Sequence, residues 1–193
     1  MIASLTSPDD LARLESLAGY ADMLEVRADL LGDLAVDRLR DGFPGGLLFT
    51  LRSRAEGGQG ETAPALRHER LLAAAEAGYD LVDLEADRDL DPALLSRLPE
   101  SRRLISWHGP AVELDGLRER FRALVSTPAR WYKLVPAAHE PGEEFAVLAL
   151  LRGLRRRDVI AFAAGEAAAW TRLVAPRLGG PIVFAAAGET AAA

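Results

Sequence analysis

Short apolar runs alternate with segments of helical periodicity along the whole chain. Eight of these runs are rich in leucine, isoleucine, valine and phenylalanine and have the length of buried β-strands. They lie at residues 2–5, 23–26, 47–51, 81–84, 104–106, 131–135, 159–162 and 182–184. Between them, apolar residues recur every three or four positions, which is typical of helices packed through one face. The clearest stripes are Leu11, Leu14 and Leu17; Leu117, Phe121, Leu124 and Val125; and Phe145, Leu148, Leu151 and Leu154.

Several predicted helices begin with proline. Ser7 and Pro8 precede two acidic residues, and Pro64 and Pro92 open two further helices; all three patterns are typical of a first helical turn. No hairpin signals separate the strands, so parallel strands joined by right-handed crossovers are expected. Eight such units predict that residues 1–193 form one α/β domain, a (β/α)₈ barrel. Only residues 185–193 follow the eighth predicted strand, so we expect a lean barrel whose last helix is either lost or supplied by a longer natural chain.

Composition narrows the class of protein. The 193 residues include no cysteine, and 23 basic against 29 acidic side chains give a net charge of −6. Disulfides and cysteine-ligated metals are therefore excluded. The first ten residues do not have the pattern of a signal peptide, and no charge-free run has the length of a membrane span. We expect a cytoplasmic protein that binds neither a membrane nor, given its acidic balance, nucleic acid.

Polar residues stand in or directly after six consecutive predicted strands. Buried parallel strands should be apolar, since an unpaired polar group there costs several kcal/mol. The carboxyl ends of barrel strands converge on the mouth, where such folds carry their active sites. Six strands ending in this way predict a functional site made of Ser4, Glu25, Arg27, Arg52, Asp83, Glu85, His108 and Lys133.

The chemistry of three of these residues suggests a mechanism. Lys133 is the only lysine among 23 basic side chains, and unlike arginine a lysine amine can lose its proton and attack a carbonyl. Its apolar strand neighbours favour the neutral amine. His108, one strand away, can move a proton at neutral pH, and Glu85 is expected to orient its ring.

Three arginines indicate the charge of the substrate. Arg27, Arg52 and Arg172 are predicted to form a cationic pocket for a carboxylate or phosphate. The residues alone therefore predict imine-forming catalysis on an anionic keto compound.

With this set of residues, the chain resembles the type I 3-dehydroquinate dehydratases, the Schiff-base enzymes of the shikimate pathway. The resemblance covers nearly the whole chain, with the family's motifs in the expected order. These motifs are Leu24-Glu25-Val26-Arg27-Ala28-Asp29, Phe49-Thr50-Leu51-Arg52-Ser53 with Glu56-Gly57-Gly58 close behind, Asp83-Leu84-Glu85, Ser106-Trp107-His108 and Tyr132-Lys133-Leu134.

The resemblance implies a role for each site residue. Lys133 would form an imine with the ring ketone of 3-dehydroquinate, His108 would remove the neighbouring proton and help expel water, and Glu85 would support His108. The product would be 3-dehydroshikimate, and neither a metal nor an organic cofactor would be needed. The implied substrate contacts are Ser4, Glu25, Arg27, Arg52, Arg172 for the carboxylate, and Thr190 in place of a serine of the family's closing loop.

Two other functions remain open at this stage. A class I aldolase-like barrel would also form an imine, but its phosphorylated substrates call for a clearer glycine-rich loop near strands 7 and 8. A catalytically impaired barrel that serves as a binding domain would account for the absence of the family's glutamine after Thr190. The eighth strand has no helix to cover it, so we expect a homodimer, a fused downstream domain such as shikimate dehydrogenase, or reduced stability.

Overall fold

Eight parallel strands form one sheet in the computed structural model, which describes residues 1–60 and 63–188. Across the sheet the order is β7-β6-β5-β4-β3-β2-β1-β8, so β1 to β7 lie side by side in sequence order and β8 pairs with β1. The strands are β1 (Ile2–Leu5), β2 (Met23–Arg27), β3 (Gly46–Thr50), β4 (Leu81–Glu85), β5 (Arg103–Gly109), β6 (Trp131–Pro136), β7 (Val159–Ala161) and β8 (Phe184–Ala186).

One apolar cluster takes at least one residue from every strand. Its members are Ile2, Met23, Leu48, Leu81, Leu104, Val135, Ile160, Phe162 and Phe184. The sheet therefore curls around a common interior, and the predicted (β/α)₈ fold is confirmed. In the described part of the chain β7 and β8 are the edge strands, each only three residues long. The rings of Phe162 and Phe184, with centroids 6.4 Å apart, bring these edges together through side chains.

The eighth strand begins two residues later than its sequence predicts. Isoleucine and valine at 182 and 183 favour a strand by propensity, but the ladder with β1 starts by pairing Ile2 with Phe184 and ends by pairing Ser4 with Ala186. The position of β8 is therefore set by its pairing with β1, and not by the strand propensity of residues 182 and 183.

Helices connect the strands on the outside of the barrel. Pro64 and Pro92 are the first helical residues of their helices, as predicted, and Pro8 begins a 3₁₀ turn that leads into the first helix. No helix in the ranges 1–60 and 63–188 is long and apolar enough to cross a membrane. The helices are α1 (Leu14–Leu17), α2 (Ala28–Leu31), α3 (Val36–Gly42), α4 (Pro64–Ala77), α5 (Pro92–Arg97), α6 (Leu114–Leu124), α7 (Phe145–Leu154) and α8 (Thr171–Val174).

Helix α7 departs from its predicted stripe at one end. Leu148 and Leu151 are buried as expected, but Phe145 is 59% exposed and packs edge-on against Trp170, with the ring centroids 5.9 Å apart. The helix instead turns Val147 and Leu150 inward beside the two predicted leucines. In this apolar helix, spacing alone does not identify the buried face.

The alternation of side chains along β2 shows how the fold builds a polar interior. Leu24 and Val26 belong to the large core between the sheet and the helices. Because successive side chains of a strand point to opposite faces, Glu25 and Arg27 lie inside the barrel. Both are nevertheless buried, so their charges need partners within the interior.

Candidate active site

Seven of the nine residues to which the resemblance assigns a role line one cavity at the carboxyl ends of the strands. They are Ser4, Glu25, Arg27, Arg52, His108, Lys133 and Arg172. Glu85 is not part of this lining, and Thr190 lies outside the described residues. The cavity wall also includes Glu56, to which the sequence pattern alone assigns no role.

Lys133 is buried on β6 among apolar and charged groups. Its Nζ lies 3.8 Å from Oε1 of Glu25 and 4.0 Å from the centroid of the Phe184 ring. Burial lowers the pKa of the Lys133 amine, and although Glu25 and Asp83 oppose this effect, the net shift is downward. More of the amine is therefore neutral, and able to act as a nucleophile, than in a solvent-exposed lysine.

Glu25 is held as a carboxylate by its neighbours. The hydroxyl of Ser4 donates to its Oε2, and the hydroxyl of Thr50 donates to its Oε1 at 2.9 Å. Burial alone would raise the pKa of Glu25, but Lys133, the Ser4 hydroxyl and two arginines together lower it to about 2. The site thus places a fixed negative charge beside the lysine at neutral pH.

His108 is oriented by Glu56, which follows β3 in a 3₁₀ turn. Oε2 of Glu56 lies 2.9 Å from the ring Nδ1 of His108 and accepts the backbone N–H of His108 at 3.1 Å. Burial, and then the positive charges of Arg52 and Lys133, keep the pKa of His108 well below its usual value. The neutral ring therefore predominates at pH 7, and this is the form in which a histidine can accept a proton.

The expectation that Glu85 orients His108 is corrected by the register of the sheet. Glu85 pairs with Ser106 in the β4–β5 ladder, two residues before His108. Its Oε1 accepts the backbone N–H of Ser53 at 2.7 Å and lies 3.3 Å from Nη1 of Arg52. Glu85 therefore lies a layer deeper in the barrel than the histidine.

Two glycines shape the turn that carries Glu56. Gly57 has φ +83°, a conformation that favours glycine, and a Cβ on Gly58 would lie 2.3 Å from the carbonyl oxygen of Arg52. The Glu-Gly-Gly triplet four residues after Arg52 was visible in the sequence. Its role was missed because it lies in a turn, to which strand periodicity does not apply.

Arg52 neutralises several carboxylates at once. Its Nη1 donates to Oε2 of Glu56 and to Oγ of Ser106, both at 2.9 Å, and its Nη2 donates to Oδ2 of Asp83 at 2.6 Å.

Burial raises the pKa of Glu56 to about 8, and the nearby carboxylates add to this while Arg52 opposes it. Glu56 and His108 are therefore a coupled pair whose protons are shared between two perturbed groups.

The two remaining arginines, Arg27 and Arg172, differ in whether their guanidinium donors have hydrogen-bond partners within the protein. Arg27 makes a bidentate pair with Asp29 at 2.8 and 2.7 Å. Arg172 lies over the Phe162 ring at 4.8 Å, and its buried Nε has no hydrogen-bond partner among the described residues. Of these two guanidinium groups, Arg172 is the better placed to bind an acidic group of a ligand.

Comparison with known proteins identifies the family to which this chain belongs. The family model described as Type I 3-dehydroquinase matches residues 1–193. A 3-dehydroquinate dehydratase of Dehalococcoides mccartyi is 28% identical over 191 residues, which are 96% of this chain and 82% of that protein. The pentafunctional AROM polypeptide of Scheffersomyces stipitis is 27% identical over 184 residues, 86% of this chain but 11% of that protein. Among solved structures, a type I 3-dehydroquinate dehydratase of Clostridium difficile has a TM-score of 0.83 at 18% identity, covering 99% of this chain and 85% of its own.

Proposed function

Because this chain belongs to the type I 3-dehydroquinase family, we propose that it dehydrates 3-dehydroquinate through an imine formed on Lys133. The overall reaction is that of a 3-dehydroquinate dehydratase, a lyase of the shikimate pathway. The observation that carries the proposed mechanism is the buried Nζ of Lys133, 3.8 Å from Glu25, in the same cavity as His108.

The first half of the reaction forms the imine. The lone pair of the Lys133 amine attacks the ring ketone, and the ketone oxygen leaves as water with one proton from the amine and one from solvent. The resulting iminium withdraws electrons from the neighbouring carbon and makes its hydrogen acidic. Nε2 of His108 accepts that proton, and the electrons of the C–H bond move into an enamine.

The second half eliminates the substrate hydroxyl and frees the lysine. The enamine electrons expel the hydroxyl at the next carbon, which takes the proton back from His108 and departs as water. A new carbon–carbon double bond remains, conjugated with the iminium. Water then hydrolyses the iminium, which releases 3-dehydroshikimate and restores the Lys133 amine.

The remaining groups bind and orient the substrate in this proposal. Arg172 binds the carboxylate, because its guanidinium has unfilled donor capacity at the cavity wall. Glu25, held by Ser4 and Thr50, accepts a substrate hydroxyl. Thr190, outside the described residues, would contribute as part of a closing loop.

Residues 1–193 act in this proposal as one catalytic domain. The AROM polypeptide, in which the matched part is 11% of the protein, is a precedent for joining such a domain to others. We propose that this domain acts either as part of a chain with a fused downstream domain or as a homodimer.

The proposed activity is tested by incubating the purified protein with 3-dehydroquinate. The conjugated enone of 3-dehydroshikimate absorbs ultraviolet light and the substrate does not, so turnover appears as rising absorbance. Enzyme-dependent formation of the enone supports the proposal. If no enone forms and a panel of aldolase substrates is also unreacted, the barrel would instead be an impaired binding domain.

Replacing Glu56 by glutamine should slow turnover more than it weakens binding. The amide keeps the size of the side chain but cannot gain or lose a proton, so it removes the titrating carboxyl that contacts Arg52 and Nδ1 of His108. We expect kcat to fall about 10- to 100-fold and KM to change little. Steady-state kinetics of Glu56→Gln beside Glu69→Gln, an exposed control on α4, would measure this. An unchanged kcat for Glu56→Gln would mean that this carboxylate does not orient the histidine.

A further inference from the structure

Helix α4 buries an arginine where an outer helix normally exposes its charges. Arg67 is 1% exposed, whereas its neighbours Leu66 and Glu69 face solvent. A buried guanidinium is costly unless its charge and its donors are satisfied. The groups that bind the Arg67 guanidinium therefore indicate why this side chain is buried.

The partners of Arg67 adjoin residues of the candidate active site in sequence or by contact. Its Nε and Nη2 donate to the two carboxylate oxygens of Asp89 at 2.6 and 2.8 Å, and its Nη1 donates to the carbonyl oxygen of Leu51 at 2.6 Å. Leu51 immediately precedes Arg52, so the last contact fixes the backbone from which Arg52 extends.

Both members of this pair also contact Glu85. Oδ2 of Asp89 accepts the backbone N–H of Glu85 at 2.8 Å, and Nη2 of Arg67 lies 3.4 Å from Oε2 of Glu85. That oxygen makes no hydrogen bond in the described part of the chain. Its charge is balanced by Arg67 and by Nε of Arg88, also at 3.4 Å.

From Glu85 the contacts continue to the histidine. Glu85 pairs with Arg52, Arg52 pairs with Glu56, and Glu56 holds the ring of His108. We propose that Arg67 and Asp89 are positioning residues of the dehydration, which fix Arg52 and Glu56 so that His108 is aimed at the substrate. This inference rests on the proposed function, because it gives His108 its proposed task.

The charges around Glu85 and Arg52 show why the pair matters electrostatically. Arg52 contacts the carboxylates of Glu56, Asp83 and Glu85. Of these three carboxylates, only that of Glu85 is also contacted by Arg67 and Arg88. Without Arg67, Arg52 would be drawn toward Glu85 and away from Glu56.

The loss of a cation should also change the titration of the histidine. The charges that act on His108 are Glu56, which contacts it, and Arg52, Lys133, Arg27 and Arg172, which lower its pKa. Removing the positive charge of Arg67 raises the apparent pKa of the His108–Glu56 pair, and removing the negative charge of Asp89 lowers it. These opposite signs are a signature that simple loss of folding does not produce.

The test compares Arg67→Gln, Asp89→Asn and Arg67→Lys with a matched control, Arg70→Gln. Arg70 lies on the same helix and makes a similar bidentate pair with Asp33, but at the surface. Rates are expressed per lysine trapped by borohydride with 3-dehydroquinate, so that unfolded protein is not counted. Both kcat and its pH profile are measured for each variant.

We expect Arg67→Gln to lower kcat per trapped site about tenfold or more, with KM within about threefold of wild type. Its acidic limb should move up by about half a pH unit, while that of Asp89→Asn moves down. Arg67→Lys keeps the charge but not the bidentate geometry, so it should lose rate with little change in pH profile. If Arg67→Gln does not fold, the other two variants carry the same test.

Two results would overturn the inference, and they distinguish a purely structural role of the pair from failure of the proposed function. Variants that yield less trapped enzyme but keep the wild-type kcat per site and pH profile would show a purely structural pair. A wild-type protein that turns over no substrate and traps no lysine would instead refute the proposed function, and the inference with it.

Discussion

Replacing Lys133 should abolish turnover, because the proposed mechanism has no other group that can form the imine. Lys133→Met keeps most of the side-chain volume beside the Phe184 ring but removes the amine. Without the imine, nothing in the site makes the neighbouring C–H acidic. We expect kcat to fall at least about 10³-fold in the enone assay.

A matched variant separates the chemistry of the amine from its charge. Lys133→Arg retains a cation beside Glu25, yet a guanidinium does not deprotonate and cannot attack a ketone. We expect this variant to be as inactive as Lys133→Met. If Lys133→Arg kept a tenth or more of the wild-type rate, Lys133 would act only as a charge and the imine mechanism would be wrong.

Replacing His108 by alanine should separate imine formation from elimination. Lys133 and Glu25 do not hydrogen-bond to His108, so the imine should still form. Proton removal then lacks its base, and we expect kcat to fall about 10²- to 10⁴-fold. Borohydride should trap an adduct that retains the mass of the intact substrate, whereas wild type also traps dehydrated product.

The control for this variant is His139→Ala, because His139 is exposed and outside the cavity. It should behave like wild type. If His108→Ala turned over substrate at a rate near wild type, the proton would have to be taken by another group, and the proposed role of His108 would be abandoned.

The pH dependence of the wild-type protein follows from the direction of one pKa shift. The pKa of His108 lies well below its ordinary value of 6.5, because burial and nearby cations disfavour the charged ring. The histidine is therefore competent as a base at neutral pH, and activity should be lost only when the pH falls clearly below 6.5.

Residue alternation made much of the site predictable from the sequence. Once the strands are placed, a period of two puts Glu25 and Arg27 on the inner face. The convergence of parallel strands then brings these residues together with Lys133 and His108. The same rules identified Arg52 at the end of β3.

Residues outside the strands could not be placed in this way. Glu56 reaches His108 from a turn whose geometry depends on Gly57 and on the close approach of Gly58 to the Arg52 backbone. Glu85 was given the role of Glu56 because strand order alone does not give the depth of a residue in the barrel; the β4–β5 register does.

Arg67 and β8 show the limits of local patterns. A charged helical residue is ordinarily assumed to face solvent, and only the tertiary contacts with Asp89 and Leu51 reveal that Arg67 does not. The start of β8 is likewise set by its pairing with β1, while isoleucine and valine favour an earlier start.

Borohydride trapping shows whether Lys133 forms an imine with the substrate. The wild-type protein is incubated with 3-dehydroquinate, reduced with borohydride, and its intact mass and peptide map are compared with those of a sample reduced without substrate. We expect one stable adduct per chain, located on the peptide that contains Lys133 and absent from Lys133→Met. Formation of 3-dehydroshikimate with no adduct on that peptide would contradict it, because dehydration would then proceed without the imine.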